Sequence, residues 1–192
     1  MLALLLWRAT GTAFPHGERI KASEGALLFV LPHEGNAITA ATGAADHVGI
    51  AHHIGGDQGL LYVIEAIGQG VSMTPIDSFL VHNSEADIIV KEVPKLNVAR
   101  SVRNALHYVG RPYDWNYTPG DSALYCSELV QLCYVDIDGH PVFGTTPMRF
   151  SDAEGCILPY WADHYGRQGI PVPEGAPGTN PTQLLLHLAP PQ

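Results

Sequence analysis

The sequence has few charged residues, and positive charge is the scarcer kind. Charged side chains make up 15% of the 192 residues, with 10 Lys and Arg against 19 Asp and Glu and a formal net charge of −9. Because no basic run is available to follow a phosphate backbone, the composition argues against a nucleic-acid partner. The same negative charge disfavours electrostatic attraction to an anionic membrane surface.

Cysteine and long apolar runs are also scarce. The three cysteines form an odd number without a CxxC pair, which excludes a disulfide framework and a paired-cysteine zinc site. The opening MLALLLW is far shorter than the roughly 20 residues of a membrane helix, and it lacks the basic start of a signal peptide. We therefore expect no membrane integration and interpret residues 1–7 as a strand or helical turn packed on the core. A trimmed signal sequence stays open as the alternative.

Strands are expected in the first half of the chain and helices after it. Residues 55–59, GGDQG, predict a hairpin loop, and apolar positions over 98–109 predict a helix that Gly110 ends. Five apolar stretches rich in branched residues predict the strands, at 26–31, 47–54, 60–67, 70–76 and 87–93. This order predicts the α+β class.

A second helix is predicted to begin near Asp121 or Ser122, because either side chain can cap a helix. We expect one domain over residues 1–192, since there is no internal repeat and no long linker. By composition it divides into a strand-rich part at about 25–93, a helical part at about 96–138, and a tail rich in proline and glycine at 139–192. The tail predicts a short aromatic helix over 158–169 and a loop over 171–181.

Cys126 lies in the stretch YCSELVQLCY (125–134), in or near the first turn of this second helix. The N–H groups and the dipole of a helix N-terminus stabilise a thiolate and the oxyanion that forms when a thiolate attacks a carbonyl. Taken alone, however, the stretch fits a buried structural cysteine better than a nucleophile. Cys133, two turns deeper on the same face, is predicted to be a small core residue.

A nucleophilic cysteine needs a base, and the base needs an orienting group. Among the ten histidines, the informative ones lie on predicted strands. His47 opens one strand and Glu65 lies within the next, so an antiparallel hairpin places them side by side. A carboxylate in an otherwise apolar strand also needs a partner. His52 and His53 are rival bases, but they lie nearer the loop end of the hairpin.

Two blocks of the sequence carry a family resemblance. GRPYDWNYTPGDSALYCSELV (110–130) resembles the nucleophile block of NlpC-type papain-like amidases, and GALLFVLP through LYVIEA (25–66) resembles their histidine block. The histidine block comes first here, which is the order of the circularly permuted YiiX/YebB-like family, whose members carry YCSEL. The resemblance covers about residues 25–135. It implies a permuted papain-like fold in which an antiparallel sheet or partial barrel packs against helices.

The resemblance also implies residue roles. It makes Cys126 the nucleophile, His47 the base and Glu65 the residue that orients the imidazole. Tyr113 falls where the family has a tyrosine near the nucleophile, and we expect it, with Tyr125, to bind the substrate or the oxyanion.

Several nearby residues have structural explanations as well. Glu128 stands where ordinary members have Gly and suits the dipole of a helix N-terminus. Tyr113 can instead pack beside Trp115. Ala26 stands where the family often has Asp, which leaves the triad intact. Four aromatic residues either line a cleft or pack in the core: Trp115, Tyr117, Tyr160 and Trp161.

The implied function is that of a cysteine hydrolase, free of any cofactor, that cleaves amide bonds through a thioester. Small peptide-like substrates, cell-wall peptides among them, are the expected class. Lecithin:retinol acyltransferase-like proteins also place histidine before cysteine, so a lipid acyltransferase or acyl-lipid hydrolase is the first alternative. A non-catalytic binding module is the second.

No metal is expected. His52 and His53 are adjacent on a strand and face opposite sides, which disfavours zinc. The resemblance implies a location in the bacterial envelope, while the lack of a clear signal peptide leaves the cytoplasm open. The sequence predicts no oligomeric state.

Overall fold

The computed structural model describes residues 20–56, 59–120 and 122–189, so the interpretation of residues 1–7 lies outside the described residues. Its elements follow in chain order: β1 (Leu27–Pro32), α1 (Ala37–Thr42), β2 (His47–Ile54), β3 (Leu60–Ile67), β4 (Gly70–Pro75), α2 (Ile76–His82), β5 (Ala86–Lys91), α3 (Val98–Tyr108), α4 (Cys126–Cys133), β6 (Thr146–Pro147), α5 (Pro159–Gly166), β7 (Pro177–Gly178) and α6 (Pro181–His187). The longer strands come first and the longer helices later, which confirms the α+β prediction. No helix in these ranges combines the length and apolar character that crossing a membrane requires.

Five strands form one antiparallel sheet in the order β4-β3-β2-β1-β5. The predicted hairpin at GGDQG joins β2 to β3. Strand β1 is apolar at successive positions because both faces of the sheet are covered. Leu27 and Phe29 belong to one buried cluster, whereas Leu28 and Val30 belong to another on the opposite face.

Helices α3 and α4 cover one face of the sheet, and α2 covers the other with Phe79. From α4, Leu129 and Val130 are fully buried in the first cluster. Cys133 is buried there too, and burial raises the pKa of its thiol to about 12. The prediction of a core role for Cys133 is therefore confirmed.

The second helix begins later than predicted. Helix α4 starts at Cys126, and its N-cap is Tyr125, which has an extended backbone and makes no side-chain capping bond. The predicted start at Ser122 is therefore wrong, and the other predicted cap, Asp121, lies outside the described residues.

The late start follows from a pairing between two loop segments. The Leu124 N–H donates to the Pro112 carbonyl at 3.0 Å, and the Asp114 N–H donates to the Leu124 carbonyl at 3.2 Å. These bonds keep the chain extended up to Tyr125. They place Tyr113 beside Leu124, and thus beside the start of the helix that carries Cys126.

The tail is more structured than the sequence predicts. The aromatic helix predicted over 158–169 is α5, but the loop predicted over 171–181 contains β7 and the first residue of α6. The Asn180 side chain caps α6 by accepting the Gln183 N–H at 2.9 Å. A third buried cluster joins Met148, Phe150 and two aromatic residues of α5, with α1 packed against it, whereas α6 contributes two leucines to the first cluster.

Candidate active site

Cys126 is the first residue of α4 and is nearly buried, with 6% of its surface exposed. At this position the first N–H groups of the helix have no partner within the helix. They supply partial positive charge beside the sulfur, which favours negative charge there. A buried thiol at a helix N-terminus is therefore well placed to carry a charge, provided that a cation lies next to it.

His47 and Glu65 meet across the β2–β3 hairpin. The His47 Nε2 atom lies 2.7 Å from Glu65 Oε2, and the Glu65 side chain is 3% exposed. Ile50 pairs with Ile64, so one step along each strand brings Gly49 opposite Glu65 and makes His47 and Glu65 diagonal neighbours. The side-by-side arrangement expected from the sequence is thus present.

Gly49 allows the two side chains to meet. A Cβ atom at this position would lie 2.3 Å from Val63 Cγ1 and 3.5 Å from Glu65 Cβ. The first distance is far below any van der Waals contact. A residue with a side chain here would therefore push β2 away from β3.

His47 also contacts the cysteine. Burial by itself lowers the pKa of His47, but hydrogen bonds to Cys126 and Glu65, together with their negative charges, raise it to about 10. Since Nε2 is bound to Glu65, the ring nitrogen left for Cys126 is Nδ1. His47 is therefore an imidazolium at neutral pH, held between two groups that can carry negative charge.

Three tyrosines surround the cysteine. Burial and the negative charge of Cys126 raise the pKa of Tyr113 well above its usual value of 10. Burial raises the pKa of Tyr117 and of Tyr125 to about 12. All three hydroxyls therefore keep their protons at neutral pH. The Tyr125 hydroxyl accepts the backbone N–H of Thr179 at 3.1 Å, so it ties the tail to the start of α4.

A narrow cleft, open to solvent and with a cavity volume of about 40 Å³, leads to Cys126. Most of its walls are apolar or aromatic. The lining residues come from α1, the segment between α1 and β2, the nucleophile block and the tail: Ile38, Thr42, Asp46, Tyr113, Tyr117, Tyr125, Cys126, Ser127, Met148, Arg149, Phe150, Trp161, Thr179, Asn180 and Pro181. The tail thus forms one wall of the cleft.

Of the four aromatic residues that the sequence places either at a cleft or in the core, two line the cleft and two do not. Tyr117 and Trp161 line the cleft. Trp115 and Tyr160 do not, and they are more than half exposed. Residues such as Met148 and Phe150, which also line the cleft, were not predicted because nothing in the local sequence links them to a cysteine twenty residues earlier.

Glu128 lies in the first turn of α4 and is buried. Its Oε1 atom accepts the Gly120 N–H at 3.1 Å, while Oε2 has no hydrogen-bond partner among the described residues. Burial raises the pKa of Glu128 to about 7, against the opposing effect of N–H groups from Gly120 and Tyr125. Besides suiting the helix dipole, this carboxylate therefore holds the loop in front of α4.

The rival histidines are occupied elsewhere. His52 Nδ1 lies 2.7 Å from Glu24 Oε1, and the His53 N–H donates to Glu24 Oε2 at 2.6 Å. Neither histidine lines the cleft. Their shared carboxylate fixes the chain that enters β1 against the hairpin.

One exposed group in the described ranges brings three possible metal-ligating side chains within 4.8 Å of one another: Asp136, Asp138 and His140. Asp136 Oδ1 already accepts the backbone N–H groups of Asp138 and His140, each at 2.9 Å. These bonds close a surface turn outside the cleft. This turn therefore explains why the three side chains lie close together.

Comparison with known proteins gives three matches. The uncharacterized protein YiiX of Escherichia coli K12 is 34% identical over 118 residues, which span 59% of this chain and 57% of that protein, just over half its length. The fold is similar to the crystal structure described as metalloprotein YiiX from Escherichia coli O157:H7. That comparison has a TM-score of 0.70 at 22% identity and covers 86% of this chain and 93% of that one. The model of a family described as permuted papain-like amidase enzymes matches residues 21–187. The chain therefore belongs to the YaeF/YiiX family of permuted papain-like amidases, the C92 family.

Proposed function

We propose that the chain is a cysteine amidase with Cys126 as nucleophile, His47 as base and Glu65 as the residue that orients His47. The observation that carries this proposal is a chain of neighbouring groups, in which His47 Nε2 lies 2.7 Å from the buried Glu65 carboxylate and Cys126 is near enough to raise the pKa of His47. Nucleophilic catalysis by cysteine needs such a chain. Membership of an amidase family adds independent support.

The reaction begins from a thiolate and imidazolium pair. The Cys126 thiolate attacks the carbonyl carbon of the amide, and a C–S bond forms. The carbonyl electron pair moves to oxygen, which gives a tetrahedral oxyanion. The N–H groups at the start of α4 point toward this charge. The Tyr113 hydroxyl, protonated in the cleft beside Cys126, is a second donor to the oxyanion.

Collapse of the intermediate breaks the C–N bond. The His47 imidazolium gives its proton to the leaving nitrogen, and the amine departs. The neutral imidazole then takes a proton from water, and the hydroxide attacks the thioester. The C–S bond breaks, which releases a carboxylic acid and restores the ion pair of Cys126 and His47. Glu65 keeps the imidazole in one orientation through both steps.

We propose small amide substrates of the peptide type, with cell-wall peptides as the first class to test. This expectation comes from the resemblance to NlpC-type amidases. The cleft that leads to Cys126 gives such a substrate access to the nucleophile.

An acyl-lipid substrate is the second candidate, and one observation favours it. Ile38, Met148, Phe150 and Trp161 give the cleft apolar walls close to the nucleophile, and such walls suit a hydrocarbon chain better than a charged peptide. The two candidates share the thioester and differ in the acyl group. Comparing kcat/KM for cell-wall dipeptides with kcat/KM for phospholipid and fatty-acyl esters separates them.

The catalytic assignment is tested by turnover of a simple acyl donor, 4-nitrophenyl acetate. We expect Cys126→Ala to abolish turnover and His47→Ala to lower it by roughly 10²–10⁴-fold, the usual contribution of a general base. Cys156→Ser is the matched control, because Cys156 is an exposed free cysteine outside the cleft, and it should retain turnover. Full turnover by either of the first two variants contradicts the assignment.

We also propose, from the resemblance alone, that the protein acts in the bacterial envelope. Fractionation of producing cells into periplasm and cytoplasm tests this. Recovery of the protein wholly in the cytoplasm would contradict it.

A further inference from the structure

The backbone at Tyr117 has an unusual conformation. Among the described residues other than glycine, Tyr117 and Lys95 are the two with positive φ, and the value at Tyr117 is 53°. A bulky side chain rarely adopts this left-handed conformation, because its Cβ atom then lies too close to a backbone carbonyl oxygen. Such strain persists only where surrounding contacts enforce it.

Asp114 enforces the conformation. Its buried carboxylate accepts the Asn116 N–H at 2.8 Å through Oδ1 and the Thr118 N–H at 2.6 Å through Oδ2. The Tyr165 hydroxyl of α5 also donates to the Asn116 carbonyl at 3.0 Å. The residues on either side of Tyr117 are thus held by hydrogen bonds, which keep the Tyr117 backbone in its left-handed conformation.

The Tyr117 side chain lines the cleft. The Tyr117 ring packs edge-on against Trp161, with centroids 5.5 Å apart, and lies 5.2 Å from the ring of Tyr125. Its ring is also perpendicular to that of Tyr113, at 6.4 Å. The two hydroxyls lie 3.5 Å apart, within reach of a weak hydrogen bond. Since a phenylalanine would fill the same space, the packing does not explain the hydroxyl.

We propose that Tyr117 is a positioning residue, which directs the Tyr113 hydroxyl toward the oxyanion formed at Cys126. This inference rests on the proposed function, in which Tyr113 donates to that oxyanion. Tyr113 is supported on its other side by Trp115, with ring centroids 4.8 Å apart. Trp115 supports the ring of Tyr113, and in this proposal the Tyr117 hydroxyl donates to the Tyr113 oxygen, which leaves the Tyr113 O–H free to donate to the oxyanion. The left-handed backbone at Tyr117 is what allows its hydroxyl to reach the hydroxyl of Tyr113.

The test is a double-mutant cycle on the acylation of Cys126 by 4-nitrophenyl acetate. In this step the C–S bond forms, the C–O bond breaks, and 4-nitrophenolate leaves. We expect Tyr113→Phe to slow maximal acylation by about 10²-fold, as for the loss of an oxyanion donor. Tyr117→Phe should slow it by about fivefold, as for one neutral hydrogen bond. The double variant should be no slower than Tyr113→Phe.

Two further measurements distinguish a positioning role of Tyr117 from a role in protein stability and from a role in substrate binding. Tyr117→Phe should leave the half-saturating ester concentration and the urea unfolding midpoint unchanged. The matched control is Tyr62→Phe, on β3 outside the cleft, and it should acylate like the wild type.

Three outcomes overturn the inference: Tyr117→Phe acylating at the wild-type rate, additive effects of the two substitutions, or a change in half-saturating concentration. Cys126→Ser tests the underlying proposal separately. If that variant keeps the burst of 4-nitrophenolate, the proposed function itself fails, whatever the tyrosine cycle shows.

Discussion

At the scale of single residues, the chemistry proposed for Cys126 depends on groups far from it in sequence. A cysteine at a helix start gains some thiolate character from the N–H groups alone. His47 adds a positive charge beside the sulfur at neutral pH, because its pKa is raised to about 10. That charge in turn depends partly on Glu65.

This dependence predicts the effect of Glu65→Gln. The amide preserves the shape of the side chain but removes its negative charge, so the pKa of His47 should fall by about one to three units. Titration of the His47 ring protons by NMR measures this directly. Alkylation by iodoacetamide at neutral pH should also slow, because fewer molecules hold the ion pair. An unchanged His47 titration would show that Glu65 does not support the charge.

The sequence supplied these three residues and missed others for a physical reason. His47, Glu65 and Cys126 lie in stretches whose pattern matches a known family, and strand pairing brings two of them together. Met148 and Phe150 reach the cleft only because the tail folds back over α1 and α4. Such contacts depend on tertiary packing, which local sequence does not encode.

At the scale of elements, the β2–β3 hairpin brings His47 and Glu65 together. The critical position in this hairpin is Gly49. A Cβ atom there would collide with Val63 Cγ1. Gly49→Ala should therefore destabilise the fold by about 1–3 kcal/mol, as overpacking does, and disturb the contact between His47 and Glu65. Urea unfolding and the rate of acylation by 4-nitrophenyl acetate measure the two effects.

The double variant Gly49→Ala/Val63→Ala removes the colliding atom, so it should recover acylation lost in Gly49→Ala. Gly144→Ala is the matched control, because a Cβ atom at that position meets nothing within 4 Å. If Gly49→Ala acylates like this control, close strand approach is not needed for the site.

Helices and strands could be predicted where a regular apolar pattern and flanking turn residues marked them. The five strands and α3 have clear apolar patterns bounded by turn residues, and their positions match closely. The start of α4 was misplaced because a pairing between residues 112–114 and Leu124 keeps the chain extended. The predicted loop includes only the first residue of α6, and the rest of that helix was not predicted, although Asn180 and Pro181 form a recognisable helix start. The six-residue α1 is too short for a periodic pattern.

At the scale of the whole molecule, the site should make stability depend on pH. The pKa of His47 is raised in the folded protein, to about 10 from an ordinary value of 6.5. Proton binding at His47 therefore stabilises the folded state fully below about pH 6.5, and this contribution is lost as pH rises through about 10. The wild type should lose more free energy of unfolding between pH 7 and pH 10 than His47→Gln does.

Urea unfolding at both pH values, under reducing conditions, measures this difference. Groups that do not contact His47 titrate alike in both proteins and cancel in the comparison, and repeating the comparison with Cys126→Ser in both proteins removes the titration of the neighbouring thiol. Equal losses in the two proteins would mean that His47 carries no raised pKa in the folded state.

The most direct test of the central claim is to locate the acyl group on the protein. After brief incubation with 4-nitrophenyl acetate and acid quench, peptide mass spectrometry should find one acetyl thioester, on Cys126, and much less of it in His47→Ala. Cys133, which is buried, and Cys156, which is exposed, should remain unmodified on this time scale. Acetylation of Cys156 in preference to Cys126, or equal acetylation of Cys126 with and without His47, would contradict the account.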